Sequence, residues 1–114
     1  MKLLAGTTDC RNGNCPTAWL TAQGTVVVQG YIVSDDVVRV PRDIVDRAAR
    51  ELEVQGAGRC AVTVPGAGGL RIRGEWIDVG GTPTSLSCPA GERAHEVPVS
   101  AVHEAAIASA RGAV

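Results

Sequence analysis

Two stretches of the chain match each other at a nearly constant spacing, and this match constrains the fold more than any other feature. The segment 26–32 (VVVQGYI) aligns with 70–76 (LRIRGEW) at an offset of 44 residues. Further along, Val40-Pro41 aligns with Val97-Pro98 at an offset of 57, so the second copy carries 13 extra residues around 80–92. The match predicts an internal duplication. The alternative is chance similarity between short strands that are rich in Gly and Val.

The first unit, about 10–55, has the pattern of strands followed by a helix. Residues 25–33 are β-branched or apolar on both faces, which indicates a buried strand, with 18–22 as its hairpin partner. A short strand at 37–40 leads to Pro41, a residue suited to the first position of a helix. Apolar residues then recur at helical spacing over 44–52.

The second unit, about 56–114, repeats this plan. Strands are predicted at 61–64 and 70–77, on either side of a Gly-rich hairpin loop at 65–69. A short strand at 94–97 leads to Pro98 and a second helix. The predicted fold is therefore α+β: a single small domain, 1–114, of two ββ(β)α repeats with antiparallel strands, which could close into a barrel.

Charge and hydropathy exclude several functions. The chain has 11 basic and 12 acidic residues, so a generally cationic nucleic-acid coat is not expected. No apolar stretch approaches the roughly 20 residues that span a bilayer, and the N-terminus lacks the apolar run of a secretory signal. We expect a cytoplasmic protein with no membrane partner.

The four cysteines leave three interpretations open. Only Cys10 and Cys15 are close in sequence, whereas Cys60 and Cys88 stand 28 residues apart. Zinc sites usually present two short-spaced pairs, so zinc bound by all four is the less favoured interpretation. A redox or disulfide role for the first pair is a second, and small inert hydrophobic residues are the third.

No arrangement of residues predicts catalysis. His95 and His103 are the only histidines, and the segment from His103 has Ile107 where a zinc-protease helix needs its second histidine. We expect both histidines to be solvated surface residues, and we expect no enzymatic activity and no cofactor.

Arginines and aromatic residues are the candidates for binding. Arg71 and Arg73 share one face of a predicted strand, while Arg39 and Arg42 flank the entry to the first helix. Paired arginines on a strand can contact DNA phosphates and guanine edges. Exposed Trp19 or Tyr31 would instead indicate a surface for a protein partner. The simpler alternative is that the arginines are solvated charges and the rings pack in the core.

Two family resemblances bear on function. The run Cys15-Pro16-Thr17, then 24–30 (GTVVVQG), resembles small uncharacterised actinobacterial proteins with a CPT…GTxVVQG signature, and 89–98 resembles their later PxGE…EVP segment. Members are often encoded beside helix-turn-helix regulators, which implies a regulatory accessory role. Members are typically shorter, so the intervening residues depart from the pattern.

The segment 38–45 (VRVPRDIV) is similar to the strand-to-helix step of AbrB/MazE-type swapped-hairpin DNA-binding domains. That resemblance implies an intertwined barrel and DNA binding, although the second copy, 96–99, lacks the basic residues. The first hypothesis is thus a non-enzymatic regulatory or accessory protein that binds a protein, such as a helix-turn-helix regulator, as a homodimer. An AbrB-like DNA-binding regulator using Arg39, Arg42, Arg71 and Arg73 is the second, and a zinc- or thiol-based sensor is the third.

Overall fold

Seven strands and two helices make up the described part of the chain. A computed structural model describes residues 1–7, 15–56 and 62–111. The elements in chain order are β1 (Lys2–Gly6), β2 (Thr17–Leu20), β3 (Thr25–Ser34), β4 (Val37–Pro41), α1 (Arg42–Val54), β5 (Gly69–Arg73), β6 (Trp76–Gly80), β7 (Glu92–Pro98) and α2 (Val99–Ala110). The Cα radius of gyration, 12.6 Å, is near the roughly 13 Å expected of a compact chain of this length. The seven strands and two helices confirm the predicted α+β class.

All strands pair antiparallel, in the order β1-β2-β3-β4-β6-β5, and β7 pairs with β3. The predicted hairpin of β2 and β3 is confirmed, and its turn includes Gly24 at φ +84°. The strands predicted at 37–40 and 94–97 are also confirmed, as β4 and β7.

Strand β3 organises the sheet because different parts of it pair with different strands. Its first half pairs with β2 along one edge and β7 along the other, whereas Tyr31, Ile32 and Ser34 pair with β4. Gly30 lies between these two parts, where a Cβ would be 2.5 Å from a methyl carbon of Val40 and 2.6 Å from the carbonyl oxygen of Arg39. Only glycine allows β4 to approach this closely.

The sheet stays open, so the closed barrel is not what the described residues form. Its end strands, β1 and β5, each pair with one strand among residues 1–7, 15–56 and 62–111. The two helices account for the gap: α1 contacts β1, α2 contacts β5, and the helices contact each other. They therefore fill the space through which β1 and β5 would have to meet.

Both helices start directly at the end of a strand. Pro41 and Pro98 were predicted at the first helical position, but each has an extended backbone (ψ 137° and 151°) and precedes the helix as its N-cap. A proline suits this position because its fixed φ fits an extended residue. The two strand-to-helix junctions correspond at the predicted offset, while the duplication that would explain them remains a prediction.

The second unit departs from its predicted strands. Residues 62–64 are not a strand, and residue 61 lies outside the described part. The strand predicted at 70–77 is two strands, β5 and β6, because the chain turns at Gly74 (φ +60°) and Glu75. The Gly-rich loop therefore precedes this hairpin instead of forming it. The loop packs against Gly80, whose carbonyl oxygen accepts a hydrogen bond from the Gly68 N–H at 3.1 Å.

The core lies between the inner face of the sheet and the two helices. Its members are aliphatic side chains from β1, β2, β3, β4, β6, β7 and both helices. They include Val26, Val28, Val38, Val40, Ile44, Val45, Leu52, Ile77, Val79, Val97, Val99 and Val102. Neither helix, nor any other in the described residues, is long and apolar enough to cross a membrane.

Candidate binding face

Four side chains form a row across the outer face of the sheet. Tyr31 on β3 pairs with Arg39 on β4, Arg39 pairs with Asp78 on β6, and Asp78 pairs with Arg71 on β5. The strand neighbours of Arg39 and Asp78, which include Val38 and Val79, are buried in the core. Because side chains alternate along a strand, the row must lie on the face opposite the core.

A second row lies beside the first. Pro41 pairs with Trp76, and Trp76 pairs with Arg73 across the β5–β6 turn. The Tyr31 and Trp76 rings meet edge to face, with centroids 6.2 Å apart and planes at 67°. Both rings remain exposed, at 43% and 40% of their surface. We call Tyr31, Arg39, Arg71, Arg73 and Trp76 the Arg–aromatic face.

Asp78 holds two of these arginines in place. The Nε of Arg39 lies 2.7 Å from Oδ1 of Asp78, and the Nε of Arg73 lies 2.7 Å from its Oδ2. The hydrogen bond from Arg39 is the main reason that the pKa of Asp78 falls below its usual range, against the opposing effect of partial burial. The same hydrogen bond raises the pKa of Arg39. The carboxylate thus stays ionised and offsets one of the three positive charges.

Arg71 differs from the other two arginines. It is exposed and has no hydrogen-bond or ion-pair partner within the part of the chain that the structure describes. It lines a cleft of about 460 Å³ together with Arg73, Asp78 and Asp36. Glycines of the 66–69 loop and the 80–81 turn complete the cleft wall. A guanidinium group with its donors unused beside a cleft can bind a carboxylate or phosphate.

Trp76 belongs to this face although the sequence indicated otherwise. In one continuous strand over 70–77, Trp76 would share the inner face with Leu70 and Ile72. The two-residue turn at 74–75 instead makes Trp76 the direct partner of Arg73 and brings it to the outer face. A Gly-Glu turn inside an alternating pattern was the signal that could have shown this.

Two predicted binding residues do not join the face. Arg42 is held between elements: its Nε donates to Oγ of Ser109 at 2.5 Å, and its Nη2 donates to the Ser109 carbonyl at 2.7 Å. A third bond, from Nη1 to the Gly74 carbonyl at 3.0 Å, ties α1 to the β5–β6 turn. Trp19 lies on β2, paired with Val27 and Leu3, and is half-buried.

Both histidines are buried, so the prediction of solvated surface histidines is wrong. His103 is 6% exposed, and His95 is completely buried on the core face of β7 beside Val28. The Nδ1 of His95 lies 3.0 Å from the Val79 carbonyl, which can only accept, so Nδ1 carries the proton. Its Nε2 finds no donor among the described residues. Burial lowers the pKa of His95, although the bond to Val79 opposes this.

The cysteines divide into two kinds. Cys15 is disulfide-bonded, whereas Cys88 is a free thiol whose pKa is raised by burial and by Glu92. Cys10 and Cys60 lie outside the described residues. The interpretation as inert hydrophobic residues is therefore wrong for Cys15, and a disulfide sulfur has no thiolate to offer to zinc. In the segments described, no three His, Cys, Asp or Glu residues cluster as metal ligands would.

Comparison with known proteins yields no relative: no protein-family model, no curated protein and no solved structure matches this chain.

Proposed function

We propose that the protein is a non-enzymatic accessory protein that binds another protein through its Arg–aromatic face. The observation that carries this proposal is the pair of exposed rings, Tyr31 and Trp76, set among three arginines on one sheet face. Tyrosine, tryptophan and arginine are the residue types that contribute most binding energy at protein interfaces. On a rigid sheet they lose little conformational freedom when a partner binds.

The charge distribution favours a protein over DNA. Proteins that bind DNA through phosphates usually neutralise several of them with free Lys and Arg. Here Asp78 is shared by Arg39 and Arg73, Arg42 is bonded to Ser109, and only Arg71 of the four predicted contacts has no partner in the described residues. The formal charge of the chain is −1. The AbrB-like alternative needs all four arginines, and its support is correspondingly weaker.

The first partner to test is a helix-turn-helix regulator, because the resemblance in 15–17, 24–30 and 89–98 is to proteins encoded beside such regulators. A homodimer presenting two Arg–aromatic faces would suit the two-fold symmetry that such regulators commonly have.

Affinity capture from native lysate tests the proposal when it is done with matched variants. The tagged wild type, Trp76→Ala, Arg71→Glu and Arg50→Glu are compared, each with and without nuclease. Arg50 is exposed on α1, so Arg50→Glu makes the same charge change outside the face. We expect a protein whose capture persists after nuclease treatment. The Arg50→Glu bait should capture as much of it as the wild type does, whereas Trp76→Ala and Arg71→Glu should each capture about tenfold less.

Two results would contradict the proposal. One is a captured protein that all four baits retain equally, because the face would then be irrelevant to binding. The other is recovery of nucleic acid alone, lost after nuclease and steeply weakened by salt, which would support the DNA-binding alternative.

A further inference from the structure

Strand β5 ends the sheet with an edge that no other described strand covers. It pairs with β6 on one side only. Along its other side runs a cleft of about 480 Å³, lined by the four consecutive residues 69–72 and by α2. Successive residues of a strand point to opposite faces, so a cleft that touches all four must follow the strand edge itself. The backbone groups on that edge are a template for one more strand.

The two faces of β5 offer different chemistry beside this edge. On the inner side, Leu70 and Ile72 lie near Ala101, Ala105 and Ala108 of α2, which leave an apolar space. On the outer side, Arg71 and Arg73 line the second cleft, of about 460 Å³, together with Asp36 and Asp78. Arg73 is paired with Asp78, so Arg71 is the cation there that has no partner among the described residues. An added strand would place alternate side chains on these two sides, so its residues would alternate between apolar and anionic.

Charge sets which residues of the added strand face which side. Arg71 has no partner in the described segments, and Arg73 uses its Nε for Asp78, so donors on both guanidinium groups remain for a carboxylate. Glu104 lines the inner cleft beside the alanines. A carboxylate on that side would be repelled by Glu104, which favours the register that places the carboxylates on the outer side.

We infer that the free edge of β5 binds an extended segment of the protein partner in which acidic residues alternate with apolar ones. The segment pairs antiparallel or parallel with β5, its carboxylates contact Arg71 and Arg73, and its apolar side chains enter the cleft between β5 and α2. This inference rests on the proposed function, since it specifies what the Arg–aromatic face and its neighbouring edge recognise. Strand addition of this kind takes affinity from main-chain hydrogen bonds and specificity from alternate side chains.

Selection from a random 12-residue peptide library displayed on phage tests the inference without knowledge of the partner. The wild type, Arg71→Glu and the control Arg50→Glu serve as baits. The expected peptides carry acidic and apolar residues in strict alternation. Their binding should weaken about tenfold or more with Arg71→Glu, as expected for reversal of a charge that donates to a carboxylate, and should be unchanged with Arg50→Glu.

A second measurement distinguishes strand addition from simple charge attraction. The best selected peptide is resynthesised with N-methyl groups at alternate residues, in the two possible phases, and titrated into ¹⁵N-labelled protein. One phase should abolish binding and the other preserve it, because only alternate N–H groups of the added strand face β5. Amide shifts should centre on 69–73 and on the face of α2 that lines the cleft.

Three outcomes would overturn the inference: no enriched peptides, enriched peptides without alternation, or peptides that tolerate N-methylation in both phases. If lysate capture still depends on Trp76 and Arg71, the proposed function survives and only strand addition fails. If no peptide is selected and a twelve-nucleotide single strand of DNA instead shifts Tyr31, Arg39 and Trp76, the ligand is nucleic acid and both proposals fail.

Discussion

His95 makes the stability of the protein depend on pH just below neutrality. Burial lowers the pKa of the His95 imidazole below its usual 6.5. Just below pH 6.5, therefore, His95 is protonated in the unfolded chain but not in the folded chain. Above about pH 6.5 both states are neutral at this residue and stability is unaffected. As the pH falls further, the free energy of unfolding should decrease with a slope approaching about 1.4 kcal/mol per pH unit. Urea titrations between about pH 7.5 and 5.5 measure this slope.

The variant His95→Gln separates this effect from that of the carboxyl groups. Glutamine does not titrate, yet its amide can still donate to the Val79 carbonyl that Nδ1 contacts. We expect the variant to be less stable at neutral pH and to lose most of the slope above pH 5.5. An unchanged slope in the variant would show that other groups cause the pH dependence. The carboxyl groups of Asp78 and Glu92 have shifted pKa values too, but their ordinary values lie at more acidic pH.

The close approach of β4 to β3 depends on the absence of a side chain at Gly30. We expect Gly30→Ala to lower the free energy of unfolding by about 2–3 kcal/mol, because its Cβ would meet the backbone of Arg39 as well as the side chain of Val40. Gly24→Ala is the control: Gly24 has a positive φ but open space around it, so it should cost about 1 kcal/mol of backbone strain. Urea denaturation compares the two, and a smaller loss at Gly30 than at Gly24 would refute the close approach of β4.

Elements that depend on local pattern could be predicted from the sequence. The helices after Pro41 and Pro98, the β2–β3 hairpin and the strands that lead into each helix follow from apolar spacing and turn residues within a few positions. The β5–β6 hairpin could not be predicted equally well. Its two strands keep the alternation of a single strand almost unbroken, so the Gly-Glu pair at 74–75 was the only local sign of a turn in the sequence.

For the candidate face, too, the residue types could be predicted from the sequence but their assembly could not. Arg39, Arg71, Arg73 and Tyr31 were candidates by residue type, but their assembly into adjacent rows depends on the pairing of β3, β4, β6 and β5, which are distant in sequence. The engagement of Arg42 by Ser109 joins the start of α1 to the end of α2. No property of the sequence near Arg42 could have revealed a partner 67 residues away.

At the scale of the whole molecule, the disulfide at Cys15 should contribute to the stability of the fold. We expect a reductant to lower the melting temperature by roughly 5 °C or more, because breaking a disulfide frees the unfolded chain. Cys15→Ser should have the melting temperature of the reduced wild type, and the reductant should not change it. Cys88→Ser should respond as the wild type does, because Cys88 is a free thiol. A wild type indifferent to reductant would contradict this prediction.

The same residue bears on location. Cytosolic thiols are kept reduced, so the oxidation state of Cys15 in cells tests the cytoplasmic location expected from the sequence. Alkylation of thiols in intact cells, followed by mass spectrometry of the peptide that contains Cys15, measures it: an alkylated Cys15 would support that location, and a fully disulfide-bonded Cys15 would oppose it.

The pairing of β3 with β7 also sets the order of events on the ribosome. Thr25 is paired with Pro98, 73 residues later in the chain. At 5–20 residues per second, β7 is synthesised roughly 4–15 s after β3. For that interval a ten-residue strand containing four valines has one edge without its partner. The hairpins of β1 to β4 and α1 can form in the nascent chain before that, but this part stays exposed to mispairing, and to binding by chaperones, until β7 has been made.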